Sequence, residues 1–530
     1  MADLRADLAR WAEEVRETHI SWVFLRQQDV LKVKKPVSFG FLDFSSLEQR
    51  RQACLTEVEL NARLAPGVYL GVVPVLRTPT GEHSFALDDD PAAVMAAGTT
   101  NVTAETTTEI VDWAVHMRRL PDRDRADVRL QEGRLSAGQL EKLAEALSRF
   151  HAAAASSPRV AAFGHVAAIR DNVRENFDQA HQRLAGLVSA AQQREVESWQ
   201  LSFLEQHSEL FEQRVRSGHV RDGHGDLRLE HVYIDEQDQP LVIDCIEFNE
   251  RFRYGDTCAD IAFLSMDLAF HERVDLAERF LAAYAKSSKD HDLYALVDFY
   301  ESYRAYVRAK ISALGLDAAA LAARQELERQ ARRYLLLALA SKRPFDGPPR
   351  LLALAGMIAS GKSTLAAALA GELPAVQLSS DRLRKELLGI TADTPVREAA
   401  FAEHYSESAS EGVYAELLRR AELVLRSGRS VVLDASFRSS AARAAARALA
   451  ARCEAPFTLI ECRVPPEVCR ARLAERALAP SESDGRAQIF DDFALHYEPI
   501  SELSEREHVV LDTSGTPAES LVRLRRAAVV

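Results

Sequence analysis

The chain has 530 residues, of which 47% are hydrophobic and 27% charged, and its formal net charge is −13. This length predicts roughly two to four domains, and the composition is typical of a protein with sizeable cores. The acidic balance argues against a nucleic-acid partner or an anionic membrane anchor, because both need excess Lys and Arg. No apolar run approaches the ~20 residues that cross a bilayer. The six cysteines form no CxxC pair, so we expect a cytoplasmic protein without a zinc site.

The first third of the chain alternates short strands with few helices. An N-terminal surface helix at MADLRADLARWAEEV is followed by strand candidates, and one long helix candidate interrupts them. The strand candidates are SWVFL, VLKVKKPVSF, LGVVPVL and IVDWAVHM, and the helix candidate is LEQRRQACLTEVELNARLA. From about residue 134 the pattern is mostly helical, with strand islands at GHGDLRLEHVYI and PLVIDCIEF. A small β-rich lobe before a larger helical lobe predicts a two-lobed domain.

A proline-rich stretch marks the main domain boundary. SKRPFDGPPR, residues 341–350, has three prolines and one glycine after an arginine-rich helical segment, and an apolar strand follows it at once. We therefore predict a first domain at 1–343, a linker at 344–350 and a second domain at 351–530. Within the first domain we place the small lobe at about 1–120 and the large lobe at about 121–343.

GHGDLRLEHVYI contains a possible catalytic loop. Protein kinases use the frame H-R-D-L-x-x-x-N, in which Asp accepts the proton of the acceptor hydroxyl and Asn binds a magnesium ion. Here the frame has Asp226 in the position of the base and His231 in place of the asparagine. Asp244 ends the apolar run PLVID, where a carboxylate can hold magnesium against phosphates. The alternative is a plain loop followed by an edge strand.

This pattern resembles the aminoglycoside phosphotransferase and choline kinase branch of the protein-kinase-like fold, which uses His-Gly-Asp at this point. The resemblance implies that Asp226 is the catalytic base and Asp244 the metal ligand. His231 is then either a weaker metal ligand or a residue that orients the loop, because Mg²⁺ prefers oxygen.

The small lobe of such a kinase needs a strand lysine for the phosphates and a helix glutamate that holds it. Lys32 and Lys34 share one face of the strand VLKVKKPV, and Glu57 or Glu59 is the possible partner. We favour Lys32 with Glu57 as ATP-binding residues; the alternative is a solvated lysine edge. VDWAVHMRRL is either the hinge, with the backbone of 115–117 meeting adenine, or a buried strand. A glycine-rich phosphate loop is missing, since ETHISWVF stands in its place.

GMIASGKS fits the Walker A pattern G-x-x-x-x-G-K-[ST] of a P-loop, between an apolar strand and the helix STLAAALAGEL. Its glycines let backbone N–H groups surround phosphate oxygens at a helix N-terminus. Lys362 is expected on the β- and γ-phosphates of ATP and Ser363 on Mg²⁺. The predicted cradle is Gly356, Met357, Ile358, Ala359, Ser360, Gly361, Lys362, Ser363 and Thr364. The alternative is a chance glycine turn.

Two carboxylates and a group of arginines follow the cradle. Asp381 comes after the strand AVQLSS and is either the base for an acceptor hydroxyl or a helix N-cap. Asp434 ends the strand SVVLD, where it can bind magnesium or orient the acceptor. Arg472 and Arg476 are the candidates for a lid over the transferring phosphate, although a solvated helix face explains either arginine equally well.

The second half resembles the P-loop kinases that include zeta toxins, gluconate kinase and the kinase half of polynucleotide kinase. SSDRLRKELLG, YAELLRRAELVLRSGRSVVLDASF and the arginine-rich stretch after them carry this resemblance. The order of the halves is similar to bacterial bifunctional proteins with an aminoglycoside phosphotransferase-like domain and an ATP-binding domain. The resemblance implies an α/β and α+β multidomain protein. A two-lobed protein-kinase-like domain would precede a P-loop NTPase domain with a parallel sheet flanked by helices.

The function expected from both halves is ATP- and Mg²⁺-dependent phosphoryl transfer to a small-molecule acceptor. Two alternatives remain. The first domain could phosphorylate an aminoglycoside-type antibiotic, or it could be a catalytically silent module that senses a ligand and regulates the P-loop domain. The acceptor and the oligomeric state stay open.

Overall fold

The computed structural model describes residues 2–39, 42–87, 109–317, 321–340, 348–392, 394, 406–476 and 485–529. The chain divides into two compact units. The first comprises Met1–Arg273 and Tyr303–Ala338, and the second comprises Val274–Ser302 and Leu339–Val530. Val274–Ser302 thus groups with the second unit, although it precedes the linker predicted at 344–350. The domain boundaries drawn from the sequence stay a prediction.

The small lobe of the first unit is a twisted antiparallel sheet with one long helix against it. Its six-stranded sheet has the order β1-β2-β3-β8-β6-β7. The elements are α1 (Ala2–Ala9), β1 (Glu14–Glu17), β2 (Ser21–Leu25), β3 (Asp29–Lys34), β4 (Ser38–Phe39), β5 (Leu42–Asp43), α2 (Leu47–Ala62), β6 (Tyr69–Arg77), β7 (His83–Phe85) and β8 (Glu109–Arg118). Ser46 caps α2 through a capping box with Gln49, which fixes where the predicted helix starts. The predicted strands and the long helix α2 are confirmed. The predicted N-terminal helix ends at Ala9, and Glu14 and Val15, which were expected in it, belong to strand β1 because they pair with β2.

Strand β8 corrects the predicted hinge. His116 and Met117 lie inside β8, where they pair with β3 on one side and with β6 on the other. Met117 is also buried in the core of the lobe. Because both edges of the backbone are used by the ladder, 115–117 cannot meet an adenine, and the buried-strand alternative is the right one.

The large lobe is helical, with short two-stranded ladders around the predicted catalytic loop. Its strands are β9 (Val220–Asp222), β10 (Val232–Ile234), β11 (Pro240–Val242) and β12 (Tyr254–Asp256). The helices from here to the linker are α3 (Ala126–Gln131), α4 (Ala137–Ala153), α5 (Pro158–Ala161), α6 (Val166–Leu184), α7 (Ala190–Gln206), α8 (Ser208–Arg216), α9 (Glu250–Arg253), α10 (Thr257–Phe270), α11 (Val274–Ser288), α12 (Val297–Leu314) and α13 (Leu321–Ala340). The strand at PLVID ends at Val242, so Asp244 follows the strand and has a left-handed φ of 65°.

The second unit is built on a five-stranded parallel sheet of the order β14-β15-β13-β16-β17, flanked by helices. Its strands are β13 (Leu351–Ala355), β14 (Val376–Ser379), β15 (Val431–Asp434), β16 (Phe457–Arg463) and β17 (His508–Asp512). Its helices after the linker are α14 (Lys362–Glu372), α15 (Ser380–Leu387), α16 (Glu407–Arg426), α17 (Ser440–Arg452), α18 (Pro466–Arg476), α19 (Phe490–Leu495) and α20 (Pro517–Arg526). Every residue of β13 is buried, as expected for the central strand of a parallel sheet covered on both faces. The predicted fold class is confirmed.

A buried ion-pair cluster holds Val274–Ser302 within this second unit. Arg429, just before β15, is almost fully buried. Its Nε lies 2.7 Å from Glu278 and its Nη1 lies 3.0 Å from Asp298. Removing Glu278 or Asp298 would leave the buried guanidinium without a partner at a large cost in free energy. The segment that carries both carboxylates is therefore part of the core of the second unit.

Candidate active sites

A buried carboxylate holds the loop that carries Asp226 in place. Asp260, in α10, accepts hydrogen bonds from the backbone N–H groups of His224 at 2.6 Å and Gly225 at 2.9 Å. Burial lowers the pKa of His224 to about 4, so its ring is neutral at physiological pH. Gly225 has a φ of 89°, and a Cβ there would lie 2.7 Å from the carbonyl oxygen of Phe252. The loop therefore requires glycine at this position.

Asp226 is paired with an arginine two residues further along the chain. Nε and Nη2 of Arg228 donate to the two carboxylate oxygens of Asp226 at 3.0 and 2.9 Å. Although burial opposes ionisation, this guanidinium holds the pKa of Asp226 well below its usual value. Arg228 also forms an ion pair with Glu230. The sequence reasoning missed Arg228, whose only signal was a basic residue two positions after the predicted base.

His231 bridges the two predicted catalytic carboxylates. Its Nδ1 lies 2.8 Å from the carbonyl oxygen of Asp226, which assigns the proton to Nδ1. Its Nε2 lies 3.6 Å from Oδ2 of Asp244. The same Nε2 lies 3.5 Å from Nη2 of Arg228 and 3.8 Å from Oε1 of Glu230. The hydrogen bond to Asp226 fits the loop-orienting alternative, and metal binding by His231 stays a prediction.

Strand β3 brings two lysines to the same glutamate. Nζ of Lys32 lies 2.9 Å from Glu57 and 2.7 Å from Asp244. Lys34 forms ion pairs with the other oxygen of Glu57 and with Glu247, and it is fully buried. Although burial opposes ionisation, the two ammonium groups hold the pKa of Glu57 below its usual value. The alternative that these lysines form a solvent-exposed edge is therefore wrong. Lys32 and Glu57, the pair favoured from the sequence, are in contact. Their role in ATP binding stays a prediction.

The stretch in place of a phosphate loop is a tight hairpin turn between β1 and β2. Oγ1 of Thr18 accepts hydrogen bonds from the backbone N–H groups of Ser21 at 2.9 Å and Ile20 at 3.4 Å. The N–H of Thr18 donates to the carbonyl of Ser21 at 2.9 Å. The backbone N–H groups of Thr18, Ile20 and Ser21, which a phosphate loop would turn towards its ligand, are therefore satisfied inside the turn.

In the second unit, the loop between β13 and α14 depends on two glycines. Gly356 has a φ of 135° and Gly361 a φ of 94°. A Cβ on Gly356 would lie 2.5 Å from the carbonyl oxygen of Cys462, on the neighbouring strand β16. Helix α14 begins at Lys362, directly after the second glycine. The loop therefore passes close to the sheet and delivers the N-terminus of a helix, as a phosphate cradle requires.

The polar side chains of this loop are placed to receive an anion. Nζ of Lys362 donates to the carbonyl oxygens of Gly356 at 3.0 Å and Met357 at 2.7 Å, and burial lowers its pKa. Ser360 is buried, and among the described residues its Oγ has no hydrogen-bond partner. An orphaned buried hydroxyl costs free energy unless a ligand satisfies it. These groups fit a nucleotide phosphate.

A carboxylate and a hydroxyl meet where β15 ends. Oγ of Ser363 lies 3.2 Å from Oδ1 of Asp434, and Nε2 of Gln377 lies 3.4 Å from Oδ2. Burial raises the pKa of Asp434 to about 6, and the negative charge of Asp381 adds to the shift. Because neighbouring parallel strands end at the same edge, the residues predicted for magnesium and for the acceptor lie together.

Asp381 lies in the first turn of α15, but it is not the cap of that helix. The N-cap is Ser379, whose side chain accepts a hydrogen bond from the N–H of Arg382 at 3.4 Å. The N-cap alternative for Asp381 is therefore wrong. The charge of Asp381 contributes to the pKa shifts of Lys362 and Asp434, so its carboxylate lies near both.

Of the two lid arginines, Arg472 lies against the cradle. It donates to the carbonyl oxygens of Ala359 at 3.3 Å and Thr513 at 2.8 Å. Arg476 is the last residue of α18, and the stretch that follows it, 477–484, lies outside the described residues. Its catalytic role stays a prediction.

Within the described ranges, no group of three or more His, Cys, Asp or Glu side chains is placed to hold a metal ion by itself. A Mg²⁺ ion that is bound with a nucleotide needs fewer than three protein ligands, because it keeps several waters and takes phosphate oxygens as ligands. Ser363 with Asp434 offers two oxygen ligands. Asp244 with His231 offers one oxygen and one nitrogen, which fits Mg²⁺ less well.

Two family models match the chain. Residues 90–300 match the phosphotransferase enzyme family, and residues 351–500 match a family described as AAA domain. "Uncharacterized protein Rv2004c" of Mycobacterium tuberculosis and "Uncharacterized protein Mb2027c" of Mycobacterium bovis are each 34% identical over 479 residues. That alignment covers 90% of this chain and 88% of each relative.

The chain belongs to the family of these mycobacterial proteins. This member is an ATP-dependent phosphotransferase in which an aminoglycoside phosphotransferase-like domain is fused to a P-loop kinase-like domain. Among the described residues, no helix is long and apolar enough to cross a membrane.

Solved structures similar to this family member each cover about a third of it. A sugar kinase from Janibacter sp. HTCC2649 is 17% identical, with a TM-score of 0.27, over 34% of this chain and 95% of its own. A gluconokinase from Sinorhizobium meliloti 1021 is 19% identical, with a TM-score of 0.26, over 35% of this chain and 93% of its own.

Proposed function

We propose that the second unit transfers the γ-phosphate of ATP to a hydroxyl group of a small molecule, in the cytoplasm and with Mg²⁺. The main support is the contact between Ser363 and Asp434, 3.2 Å apart beside the glycine loop. A helix-start hydroxyl and a strand-end carboxylate form the oxygen pair that suits Mg²⁺ bound to ATP. Lys362 and the orphaned hydroxyl of Ser360 supply donors for phosphate oxygens from the same loop.

Asp381 is the proposed base for the acceptor hydroxyl. It follows β14, next to the strand that ends in Asp434, and it is only partly buried, so an acceptor can reach it. Arg472 lies against the cradle and, with Arg476, is proposed to stabilise the negative charge of the transferring phosphate. When bound, Mg²⁺ would neutralise charge on the phosphates.

The test of this proposal is Lys362→Ala in the full-length chain. Because the ammonium group is expected to stabilise charge on the transferred phosphate, turnover should fall at least ~100-fold, at ~1.4 kcal/mol per tenfold. The measurement is transfer from labelled ATP to a panel of sugars, nucleosides and aminoglycosides. Lys142→Ala, an exposed lysine on α4, is the matched control. Undiminished turnover by Lys362→Ala would contradict the assignment.

A second candidate function concerns the first unit, as a silent ligand-sensing module. Three contacts favour it: Thr18 occupies the donors of the hairpin, Arg228 pairs with Asp226, and Lys32 pairs with Asp244. An incoming Mg²⁺–ATP would have to compete with each of them. The intact contact between Lys32 and Glu57 favours the catalytic reading instead, including antibiotic phosphorylation.

Whether the first unit is silent or binds ATP can be tested in a protein whose P-loop has already been inactivated by mutation. In full-length protein that carries Lys362→Ala, binding of a fluorescent ATP analogue is titrated with and without Mg²⁺. If the remaining binding depends on Mg²⁺ and is lost on adding Asp244→Asn, the first unit binds nucleotide. If Asp244→Asn changes nothing, the first unit is silent towards ATP.

A further inference from the structure

A cavity of about 510 Å³ lies in the first unit, away from the catalytic loop. It is formed by the residues directly after α2, by one face of α4 and by β11. Its walls are mostly apolar and include Leu64, Phe150, Ala153 and Val242. Its volume is in the range of small-molecule sites, and none of the residues predicted for catalysis or ATP binding lines it.

Two arginines line this cavity, and one of them is exposed. Arg149 is exposed and shares a face of α4 with Ala146 and Ala153, which lie three positions before it and four positions after it. Within the described residues its guanidinium has no hydrogen bond or ion pair. No carboxylate is among the described residues that line the cavity. The site therefore combines apolar walls with an exposed positive charge that no carboxylate of the described lining neutralises, which complements an amphipathic anion.

The second arginine of the cavity is not available to a ligand, because its donors hold the backbone of the catalytic region. The guanidinium of Arg63 lies 4.9 Å from the ring centre of Phe150. It donates to the carbonyl oxygens of Asp222 and Gly223, both at 3.1 Å, and to Sγ of Cys245 at 3.4 Å. Asp222 and Gly223 directly precede the loop of Asp226, and Cys245 directly follows Asp244. A single side chain thus links the cavity wall to both predicted catalytic segments.

We propose that this cavity is a regulatory binding site for a small molecule with an apolar body and one anionic group. Arg149 pairs with the anion, and the apolar body packs on Leu64 and Ala153, lining side chains that are at least partly exposed. Occupancy changes the contact between Phe150 and Arg63, and through Arg63 the backbone at 222–223. The two sites are then coupled by a shared side chain, which is a physical requirement for allostery. The regulatory part of the proposal rests on the first unit binding a ligand at the loop of Asp226, because the predicted catalytic segments that Arg63 contacts are that loop and the segment of Asp244.

The test uses two fluorescent probes that differ in one charge. 1-Anilinonaphthalene-8-sulfonate has an aromatic body and a sulfonate, and N-phenyl-1-naphthylamine has the same body without the charge. Arg149→Gln in the full chain should weaken the anionic probe about fivefold, the value of a good partly exposed ion pair, and leave the neutral probe unchanged. Lys142→Gln, which removes a charge two turns earlier on α4, should affect neither probe. Ala153→Trp fills the cavity and should abolish binding of both.

Coupling is read by amide hydrogen exchange. The anionic probe should change exchange in peptides that span 219–226 of the wild-type chain, and not in Ala153→Trp. Equal affinity of wild type and Arg149→Gln for the anionic probe would overturn the anion site. Unchanged binding by Ala153→Trp would overturn the location. Probe binding without any change in exchange at 219–226 would overturn the regulatory link.

Discussion

Asp434→Asn should stabilise the ligand-free protein, because the native state buries a carboxyl group that water would rather ionise. Burial raises its pKa from 3.8, the value of a free Asp side chain, to about 6. At ~1.4 kcal/mol per pKa unit, the buried ionised carboxylate lowers the free energy of unfolding by about 3 kcal/mol at neutral pH. The raised pKa means that the native state binds the proton more tightly, so stability falls as pH rises from about 4 to 6. Asparagine removes the cost above pH 6 and still accepts the hydrogen bond from Ser363.

The assay is thermal unfolding with EDTA at pH 7.5 and at pH 4, followed by a repeat with Mg²⁺–ATP. For a unit of this size the midpoint should rise by ~2–4 °C per kcal/mol at pH 7.5, and the gain should vanish at pH 4. The variant should lose most of the stabilisation that Mg²⁺–ATP gives to wild type. Asp512→Asn, at the end of β17, is the control, because the pKa of that exposed carboxyl is lowered. A neutral or destabilising Asp434→Asn at pH 7.5 would refute the reasoning.

Three further predictions concern charged groups. Arg429→Met should lower the free energy of unfolding by about 3–5 kcal/mol, because Glu278 stays buried without a cation; a loss below about 1 kcal/mol in urea unfolding would contradict this. Arg228→Gln should lower the free energy of unfolding by about 3 kcal/mol at pH 7. The difference from wild type should narrow as the pH falls below ~4, because Asp226 of the unfolded chain then binds a proton, whereas Arg228 holds the pKa of Asp226 in the wild-type native state well below that value. Asp381→Asn should lower acceptor transfer by ~10²–10⁴ in rate while nucleotide affinity changes less than about threefold; a parallel loss of both in stopped-flow binding and turnover assays would make Asp381 structural.

The sequence alone determined the local parts of the candidate sites. The glycine loop of the second unit needs only an apolar strand, two glycines and a helix that starts at Lys362, all within 351–363. The two lobes of the first unit follow from a change in the spacing of hydrophobic residues, from the two-residue period of strands to the 3.6-residue period of helices. This spacing is a property of neighbouring residues and can be read from the sequence. The sequence also predicted that Lys32 and Lys34 lie on the same face of β3, because side chains two positions apart in a strand point to the same side.

Contacts between distant segments were decided by the tertiary structure. Asp434 meets Ser363 because β15 pairs with β13 in one register, which no local pattern states. The backbone of 115–117 is unavailable to a ligand because β8 gains a partner on each side, and a strand sequence does not reveal how many neighbours it has. Arg228 reaches Asp226 because the loop curls back over two residues. Val274–Ser302 belongs to the second unit, although it is close in sequence to the first. Its Glu278 and Asp298 form ion pairs with the buried Arg429, and separating these charges would cost more free energy than the sequence position could offset.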